Sequence, residues 1–394
     1  MNRQPSEGVI RPRMARLSRL LPILLVLSSS AALGFTWPWD ATGPWPDGSD
    51  LPLTPLERPH VEDRVAEDAP RVRFAVFGDQ RALADGEWQD LVAALAKRHE
   101  STPVDFVIDT GDIVQDGRHS NQFDFLRGIL GPIEHLPYLV SVGNHETKNN
   151  LDPSARFHTS VFLGGMDPAF TADRYYFRKD LANTRFFFLD SNDFVYGDDG
   201  AGIGREEPLP GTRAAAQMHW LETQLSHPEP PGMYTVVVIH HPFVQTSKKH
   251  REAAISLWNY GAKGRKLRDL MLDGGVDLVL CGHTHTYERF LLEKDGHRMH
   301  LINVSGRPRT SFLWVGDGAR RPKDIRGEED TWFGEEGWDL DGWVVTQEAV
   351  MLDDEEDQYA VIEASQGGPV TLEVQLLDDD EPSGTKLFER VVLE

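Results

Sequence analysis

VDLVLCGHTH, residues 276–285, is an apolar run that leads directly into two histidines, His283 and His285. A short run rich in valine and leucine is typical of a buried strand. Six further runs of this kind occur along the chain, at 73–79, 104–112, 138–145, 185–190, 234–241 and 300–305. Amphipathic patterns that predict helices lie between them, at 88–98, 122–130, 213–225 and 265–272. This alternation of strands and helices predicts an α/β sheet with crossover connections.

Polar side chains stand at the ends of most of these runs. They are Asp79, Asp112, Asn144, His240, His283 and His285. Because open α/β sheets bind ligands beyond the carboxyl ends of their strands, we expect these side chains to converge. Carboxylate, amide and imidazole ligands without thiolates suit divalent first-row metals, and the set exceeds what one open catalytic zinc site needs. The pattern therefore predicts two metal ions that share a carboxylate, about 3.5–4 Å apart, a separation suited to a phosphoryl group.

The order and spacing of these motifs are specific to one group of proteins. From about Phe74 to Tyr287 the sequence resembles the calcineurin-like metallophosphoesterase superfamily, and within it the purple acid phosphatase-like branch. The motifs that carry the resemblance are Gly78-Asp79, Gly111-Asp112, Gly143-Asn144-His145-Glu146, the strand that ends at His240, and Gly282-His283-Thr-His285. The resemblance implies an α/β fold, a β-sandwich of two mixed sheets flanked by helices in an α/β/β/α arrangement.

The resemblance also implies a role for each motif residue. Asp112 would bridge two divalent or trivalent metal ions, drawn from Fe, Mn or Zn. The other implied ligands are Asp79 and His285 for the first ion, and Asn144, His240 and His283 for the second. His145 would lie beside the leaving group, as general acid or as a donor to the phosphate.

Two positions depart from the relatives' pattern. Arg81 stands where many members of the superfamily have a histidine, and Gln115 stands where purple acid phosphatases have a tyrosine. The first metal position therefore has one strong ligand fewer, and we expect it to bind metal loosely. Arg81 either clamps the phosphate as a catalytic residue or pairs with a nearby carboxylate. His250, in a basic segment after Pro242, is a candidate substrate contact, with a solvated loop as the alternative.

The function that follows is hydrolysis of phosphate mono- or diesters by a metal-bound hydroxide, in an acid phosphatase-like enzyme with a small phosphoester substrate. One alternative is a non-catalytic protein that keeps the fold and a single metal. A nuclease of the same superfamily is another. With 40 Lys and Arg against 63 Asp and Glu, the net charge of −23 repels nucleic-acid backbones, so we expect no nucleic-acid partner. The oligomeric state stays open.

The N-terminal residues 1–34 have the pattern of a signal peptide, because five arginines precede the short apolar run Leu20–Leu27. The run is too short to span a bilayer, so we expect no stable membrane span after cleavage and export to the periplasm or the extracellular space. An uncleaved membrane anchor is the alternative. The remaining segments are a Pro- and Trp-rich linker at 35–70, a catalytic core at 71–310, an acidic insertion at 311–357, and C-terminal strands at 358–394 that complete the sandwich.

Overall fold

A computed structural model describes residues 53–393, apart from residues 67, 82–85, 199, 201–202, 204–205, 228–231, 247–249, 307–339, 352–356, 379 and 382. All the described residues belong to one compact unit within residues 43–394. The expected signal peptide, the first part of the linker and most of the acidic segment lie outside the described residues. Within the described part of the chain, no helix has the length and apolar character needed to cross a membrane.

The first sheet has six strands in the order β15-β14-β13-β1-β2-β3. Their bounds are β1 Arg71–Phe77, β2 Phe106–Asp109, β3 Tyr138–Val140, β13 Gln358–Ser365, β14 Val370–Leu377 and β15 Thr385–Leu393. The pairs β1–β2 and β2–β3 are parallel, so the carboxyl ends of these three strands meet at one edge. The three C-terminal strands extend the sheet from β1 in antiparallel pairs.

The second sheet has seven strands in the order β12-β10-β11-β9-β6-β5-β4. Their bounds are β4 Phe177–Leu181, β5 Thr184–Leu189, β6 Tyr234–Ile239, β9 Leu278–Cys281, β10 Tyr287–Lys294, β11 His297–Val304 and β12 Val344–Val350. The parallel run β5-β6-β9-β11 brings four carboxyl ends together. A separate hairpin pairs β7 Gly261–Ala262 with β8 Arg265–Lys266.

Helices cover the outer faces of both sheets. Their bounds are α1 Glu87–Ser101, α2 Ser120–Ile129, α3 Asn144–Thr147, α4 Pro153–Leu163, α5 Ser191–Val195, α6 Arg213–Leu225, α7 Arg251–Asn259 and α8 Leu267–Asp273. Trp88 of α1 packs on Phe77 of β1, with ring centroids 6.4 Å apart. Trp220 of α6 packs on Phe187 of β5 at 5.9 Å. These contacts give the α/β/β/α order, and the predicted fold class is confirmed.

Aromatic side chains join the two sheets to each other. Phe74 of β1 stacks on Phe106 of β2, with ring centroids 5.3 Å apart. Phe186 of β5, in the opposite sheet, meets both rings edge-on at 5.2 and 5.6 Å. All three are fully buried. Because edge-to-face pairs are favourable and aromatic burial is large, this cluster anchors one sheet to the other.

Two segments of the structure differ from what their sequence pattern indicates. The helix expected at 265–272 begins only at Leu267, because Arg265 and Lys266 pair with residues 261–262 in the hairpin. Residues 344–350, within the segment that we interpreted as an acidic insertion, form β12 at the edge of the second sheet. The strand is held there by the buried side chains of Val345 and Gln347.

Candidate metal centre

The carboxyl ends of strands from both sheets meet at one place. Asp79 and Asp112 follow β1 and β2 of the first sheet, whereas His240 and His283 follow β6 and β9 of the second. All four side chains are buried. Ligand atoms of Asp79, Asp112 and His240 lie within 4.8 Å of one another, and so do those of His240, His241 and His283. The structure therefore brings the residues that the sequence singled out into one cluster.

The expected second metal position is centred on the Nε2 atom of His240. This atom lies 3.2 Å from Asn144 Oδ1, 3.2 Å from His283 Nδ1 and 3.4 Å from Asp112 Oδ1. The other ring nitrogen, Nδ1, is 2.8 Å from the carbonyl oxygen of Thr110, to which its N–H donates. This hydrogen bond leaves the lone pair of Nε2 directed at the cluster, as in a metal-binding histidine.

The donors at this position fit a metal ion. His283 Nε2 is buried and has no hydrogen-bond partner within the described part of the chain. A buried nitrogen without a partner is costly, so the ring of His283 has an unsatisfied Nε2 atom near the cluster, while its Nδ1 atom is the one that faces His240. The set of imidazole nitrogens, carboxylate and amide oxygen suits Fe, Mn or Zn. Burial and the neighbouring histidines hold the pKa of His283 well below its usual range, so the neutral, ligating form is favoured.

The expected first metal position contains a fixed cation. Arg81 Nη2 lies 2.9 Å from His285 Nε2 and 3.3 Å from Asp112 Oδ2. Asp79 Oδ1 is 3.9 Å from His285 Nε2. Arg81 thus forms an ion pair with a nearby carboxylate, one of the two roles expected for it. A guanidinium at this point repels a metal ion and occupies two of the three ligands that the position offers.

Asp79 is held in place by groups from the second sheet. Its Oδ2 atom accepts hydrogen bonds from the backbone N–H of His283 at 2.8 Å and from the hydroxyl of Ser305 at 2.7 Å. Burial is the main cause that raises the pKa of Asp79 to about 6. Ser305 was not among the residues that the sequence indicated. Its position directly after β11, at the same sheet edge, is the signal that could have identified it.

His145 lies beside Asp112, at the start of α3. Its backbone N–H donates to Asp112 Oδ1 at 3.0 Å, and its Nε2 atom is 3.8 Å from Asp112 Oδ2. Its Nδ1 atom is 2.6 Å from the carbonyl oxygen of Gln115. Burial, together with the charge of Arg81, lowers the pKa of His145 to about 4. Its backbone is held by Asp112 and its ring by the carbonyl oxygen of Gln115, so the Nε2 atom lies on the side of Asp112.

His250 and His241 flank His283 on the other side of the cluster. Both rings lie 4.2 Å from the His283 ring, measured between centroids. His241 Nδ1 is also 2.6 Å from the hydroxyl of Ser191. The candidate substrate residue His250 is therefore close to the cluster, and His241 packs behind His283.

A buried carboxylate fixes the loop that carries Asp112. Glu146 accepts hydrogen bonds from the backbone N–H groups of Asp112, Val114 and Gly143 at 2.8–3.0 Å. Burial, with the adjacent charge of Asp112, raises the pKa of Glu146 well above its usual range. The three bonds hold the loop after β2 against the start of α3, which sets the distance between Asp112 and Asn144.

The backbone at the cluster is unusual. Five of its residues have φ between 54° and 71°, in the left-handed region that non-glycine residues rarely adopt. They are Asp79, Arg81, Asp112, His283 and His285. Gly111, which precedes one of them, has φ 106°, and a Cβ atom there would lie 2.5 Å from the carbonyl oxygen of Ser141. Each left-handed residue costs about 1–3 kcal/mol, a cost that is common at functional sites.

Comparison with known proteins agrees with this geometry. The sequence profile of the calcineurin-like phosphoesterases matches residues 72–287. Purple acid phosphatase 21 of Arabidopsis thaliana is 24% identical over 257 residues, which is 64% of this chain and 50% of that protein. Purple acid phosphatase 22 of the same plant is 25% identical over 227 residues, 56% of this chain and 45% of that protein. The chain thus spans about half the length of these relatives.

A solved structure shares the fold. The purple acid phosphatase PPD1 from yellow lupin (Lupinus luteus) seeds superposes with a TM-score of 0.54 and 17% sequence identity. The match covers 86% of this chain and 54% of that chain.

Proposed function

The chain belongs to the calcineurin-like phosphoesterase family, and on this basis we propose that it hydrolyses small phosphate esters with the help of bound metal ions. One observation carries the proposal. Ligand atoms of Asp79, Asp112 and His240, contributed by two different sheets, lie within 4.8 Å of one another in a buried cluster. The purple acid phosphatases among its relatives support an acid phosphatase-like activity.

We propose two metal positions of unequal strength. Asp112, Asn144, His240 and His283 would hold one ion firmly. Asp112 would also serve a second ion with Asp79 and His285, but there the guanidinium of Arg81 competes for the same ligands. Bound metal ions supply activated water near neutral pH and offset the negative charge of the phosphoryl oxygens.

The chain's own side chains would position and protonate the substrate. The N–H of His145 Nδ1 donates to the carbonyl oxygen of Gln115, so Nε2 is the atom that can carry a proton to the leaving group. Arg81 can turn from Asp112 toward a bound phosphate, because two of the phosphate oxygens match the planar fork of its guanidinium group. His250, next to His283, would contact the substrate from the other side.

Hydrolysis assays test the proposal directly. Nitrophenyl phosphate and bis-nitrophenyl phosphate are incubated with protein that has been stripped by a chelator and then titrated with Mn, Zn or Fe. We expect metal-restored turnover that is lost in Asp112→Asn, and the two substrates separate monoesterase from diesterase activity. A folded protein that shows no turnover with any of these metals would exclude the enzyme.

A single-metal protein without catalytic activity is the second candidate, because Arg81 already contacts two of the ligands for the other ion. Metal analysis distinguishes the two. Nearly two ions per chain at saturating metal favour the enzyme, and a stoichiometry fixed at one favours the binding protein.

We propose that the protein is exported, on the pattern of residues 1–34 alone. Mass spectrometry of the mature N-terminus tests this. Recovery of the chain with an intact residue 1 from the cell membrane would favour the anchor instead.

A further inference from the structure

We propose that the cavity beside His145 binds a second anionic group, a phosphate or a carboxylate, on the alcohol that leaves the substrate. The inference rests on the proposed phosphoesterase function and narrows it to a substrate class. The cavity has a volume of about 370 Å³. Its lining includes Asn144 and His145 of the site, the cations Arg118 and Lys148, and the carboxylate of Asp152.

Two cations of the cavity wall are held by one carboxylate. Asp116 Oδ1 is 3.0 Å from Arg118 Nε, and Asp116 Oδ2 is 2.6 Å from Arg118 Nη2. The same Oδ2 atom is 3.0 Å from Lys148 Nζ. Asp116 is buried, whereas the side chains of Arg118 and Lys148 are 47% and 32% exposed. The carboxylate therefore lies beneath the two cations and orients them, while their outer N–H groups remain open to a ligand.

The charges at the cavity leave room for an anion. Arg118 and Lys148 are matched by the carboxylates of Asp116 and Asp152, so the wall offers two exposed cations but no net positive charge, in a chain that carries −23. Asp152 keeps its charge, because its partners are the uncharged backbone N–H and hydroxyl of Ser154, at 2.9 and 2.7 Å from its Oδ1 atom. In a strongly acidic protein that repels anions in general, two exposed cations at one cavity can decide which anions enter.

The backbone fixes both cations relative to His145. Lys148 follows α3 directly and starts a run of three left-handed residues with φ of 50°, 55° and 62°. On the other side, the backbone N–H of Gly117 donates to the carbonyl oxygen of His145 at 3.0 Å. A Cβ atom at Gly117 would lie 2.1 Å from the carbonyl oxygen of Glu146, so the two segments are in direct contact. The loop with Arg118 and the turn with Lys148 are therefore both tied to α3.

The chemistry of the wall points to one class of leaving group. His145 is the residue that we place beside the leaving oxygen, so the space beyond it receives the rest of the alcohol. The N–H groups of Arg118 that do not face Asp116, together with the ammonium of Lys148, can bind phosphate and carboxylate groups through charge-assisted hydrogen bonds. The preferred substrates would thus be phosphoesters whose alcohol carries a further phosphate or carboxylate.

Matched substrate pairs test the inference. 3-Phosphoglycerate differs from glycerol 3-phosphate by a carboxylate in place of a hydroxymethyl group, and fructose 1,6-bisphosphate adds a phosphate to fructose 6-phosphate. We expect the metal-loaded protein to favour the more anionic member of at least one pair by about tenfold in kcat/KM. Arg118→Gln or Lys148→Gln should bring this ratio close to one. Arg265→Gln, which breaks a surface pair with Asp273, is the matched control and should leave the ratio unchanged.

The possible failures are distinguishable. Equal kcat/KM within both pairs, or a preference that survives both substitutions, would overturn the inference while the phosphoesterase function stands. Calorimetric binding of the same compounds gives a readout that does not depend on turnover. Tighter binding of the more anionic member, lost in Arg118→Gln, would support the anion site even if no compound were hydrolysed.

Discussion

Arg81 Nη2 lies 2.9 Å from His285 Nε2, although the two residues are 204 positions apart in the chain. The same guanidinium nitrogen is 3.3 Å from Asp112 Oδ2. A permanent positive charge thus lies among the residues that we propose as ligands of the first metal ion.

Replacement of this arginine should change the metal content. In Arg81→His the fixed charge is removed and an imidazole ligand is added, so we expect the number of bound metal ions per chain to rise toward two. Elemental analysis after dialysis against limiting metal measures it. Arg81→Gln removes the charge without adding a strong ligand, and it should give an intermediate value. Equal metal content in all three proteins would contradict this account of the first position.

His145 should matter most for substrates with poor leaving groups. Loss of a general acid slows the expulsion of an alkoxide more than that of nitrophenolate, so His145→Ala should lower kcat by about 10²–10⁴-fold for an alkyl phosphate and by much less for nitrophenyl phosphate. An equal loss with both substrates would argue against acid catalysis.

The same residue predicts a pH dependence. A general acid must be protonated, and burial with the charge of Arg81 lowers the pKa of His145 to about 4. Turnover of an alkyl phosphate should therefore fall as the pH rises above about 4. Initial rates across a pH series measure this fall in turnover. The fall should be absent from the pH profile of His145→Ala.

Glu146 should support metal binding without touching the metal. Its carboxylate accepts three backbone N–H groups around Asp112, and in Glu146→Gln one of the two oxygens becomes an NH₂ group that cannot accept, so at least one of these hydrogen bonds is lost. Loss of such a supporting contact typically weakens metal affinity about 10–100-fold. Competition with a fluorescent chelator gives the affinity. Glu134 is exposed, so Glu134→Gln is the matched control. An equal metal affinity in Glu146→Gln and Glu134→Gln would rule out the supporting role.

Phe186 should be one of the more costly core residues to truncate. Its ring bridges the two sheets against Phe74 and Phe106, so Phe186→Ala should lower the free energy of unfolding by about 3–5 kcal/mol. Urea unfolding followed by tryptophan fluorescence measures this. Phe157→Ala removes a ring that is 59% exposed and should change the free energy by less than about 0.5 kcal/mol.

The strand ends predicted part of the cluster, and the resemblance to the family predicted the two-sheet fold. Parallel strands bring Asp79 and Asp112 to one edge of the first sheet, and His240 and His283 to one edge of the second, whatever the detail of the loops. The contact between Arg81 and His285 could not be predicted in the same way, since it depends on the left-handed backbone of both residues. The strand Val344–Val350 was not predicted from the sequence, because an edge strand tolerates polar and charged side chains on its open side and so lacks a clear apolar pattern.

At the left-handed residues of the cluster, the side chains that the proposed site requires are attached to a strained backbone. Asp79 and His283, at φ 62° and 71°, adopt a conformation that glycine enters freely, so glycine at either position would relieve strain and abolish a ligand in one step. In Asp79→Gly this relief of about 1–3 kcal/mol is offset, because the buried N–H of His283 and the hydroxyl of Ser305 lose their acceptor. The carboxylate that would hold a metal ion therefore also stabilises the strained backbone around it, and the geometry of the cluster is in place before any ion binds.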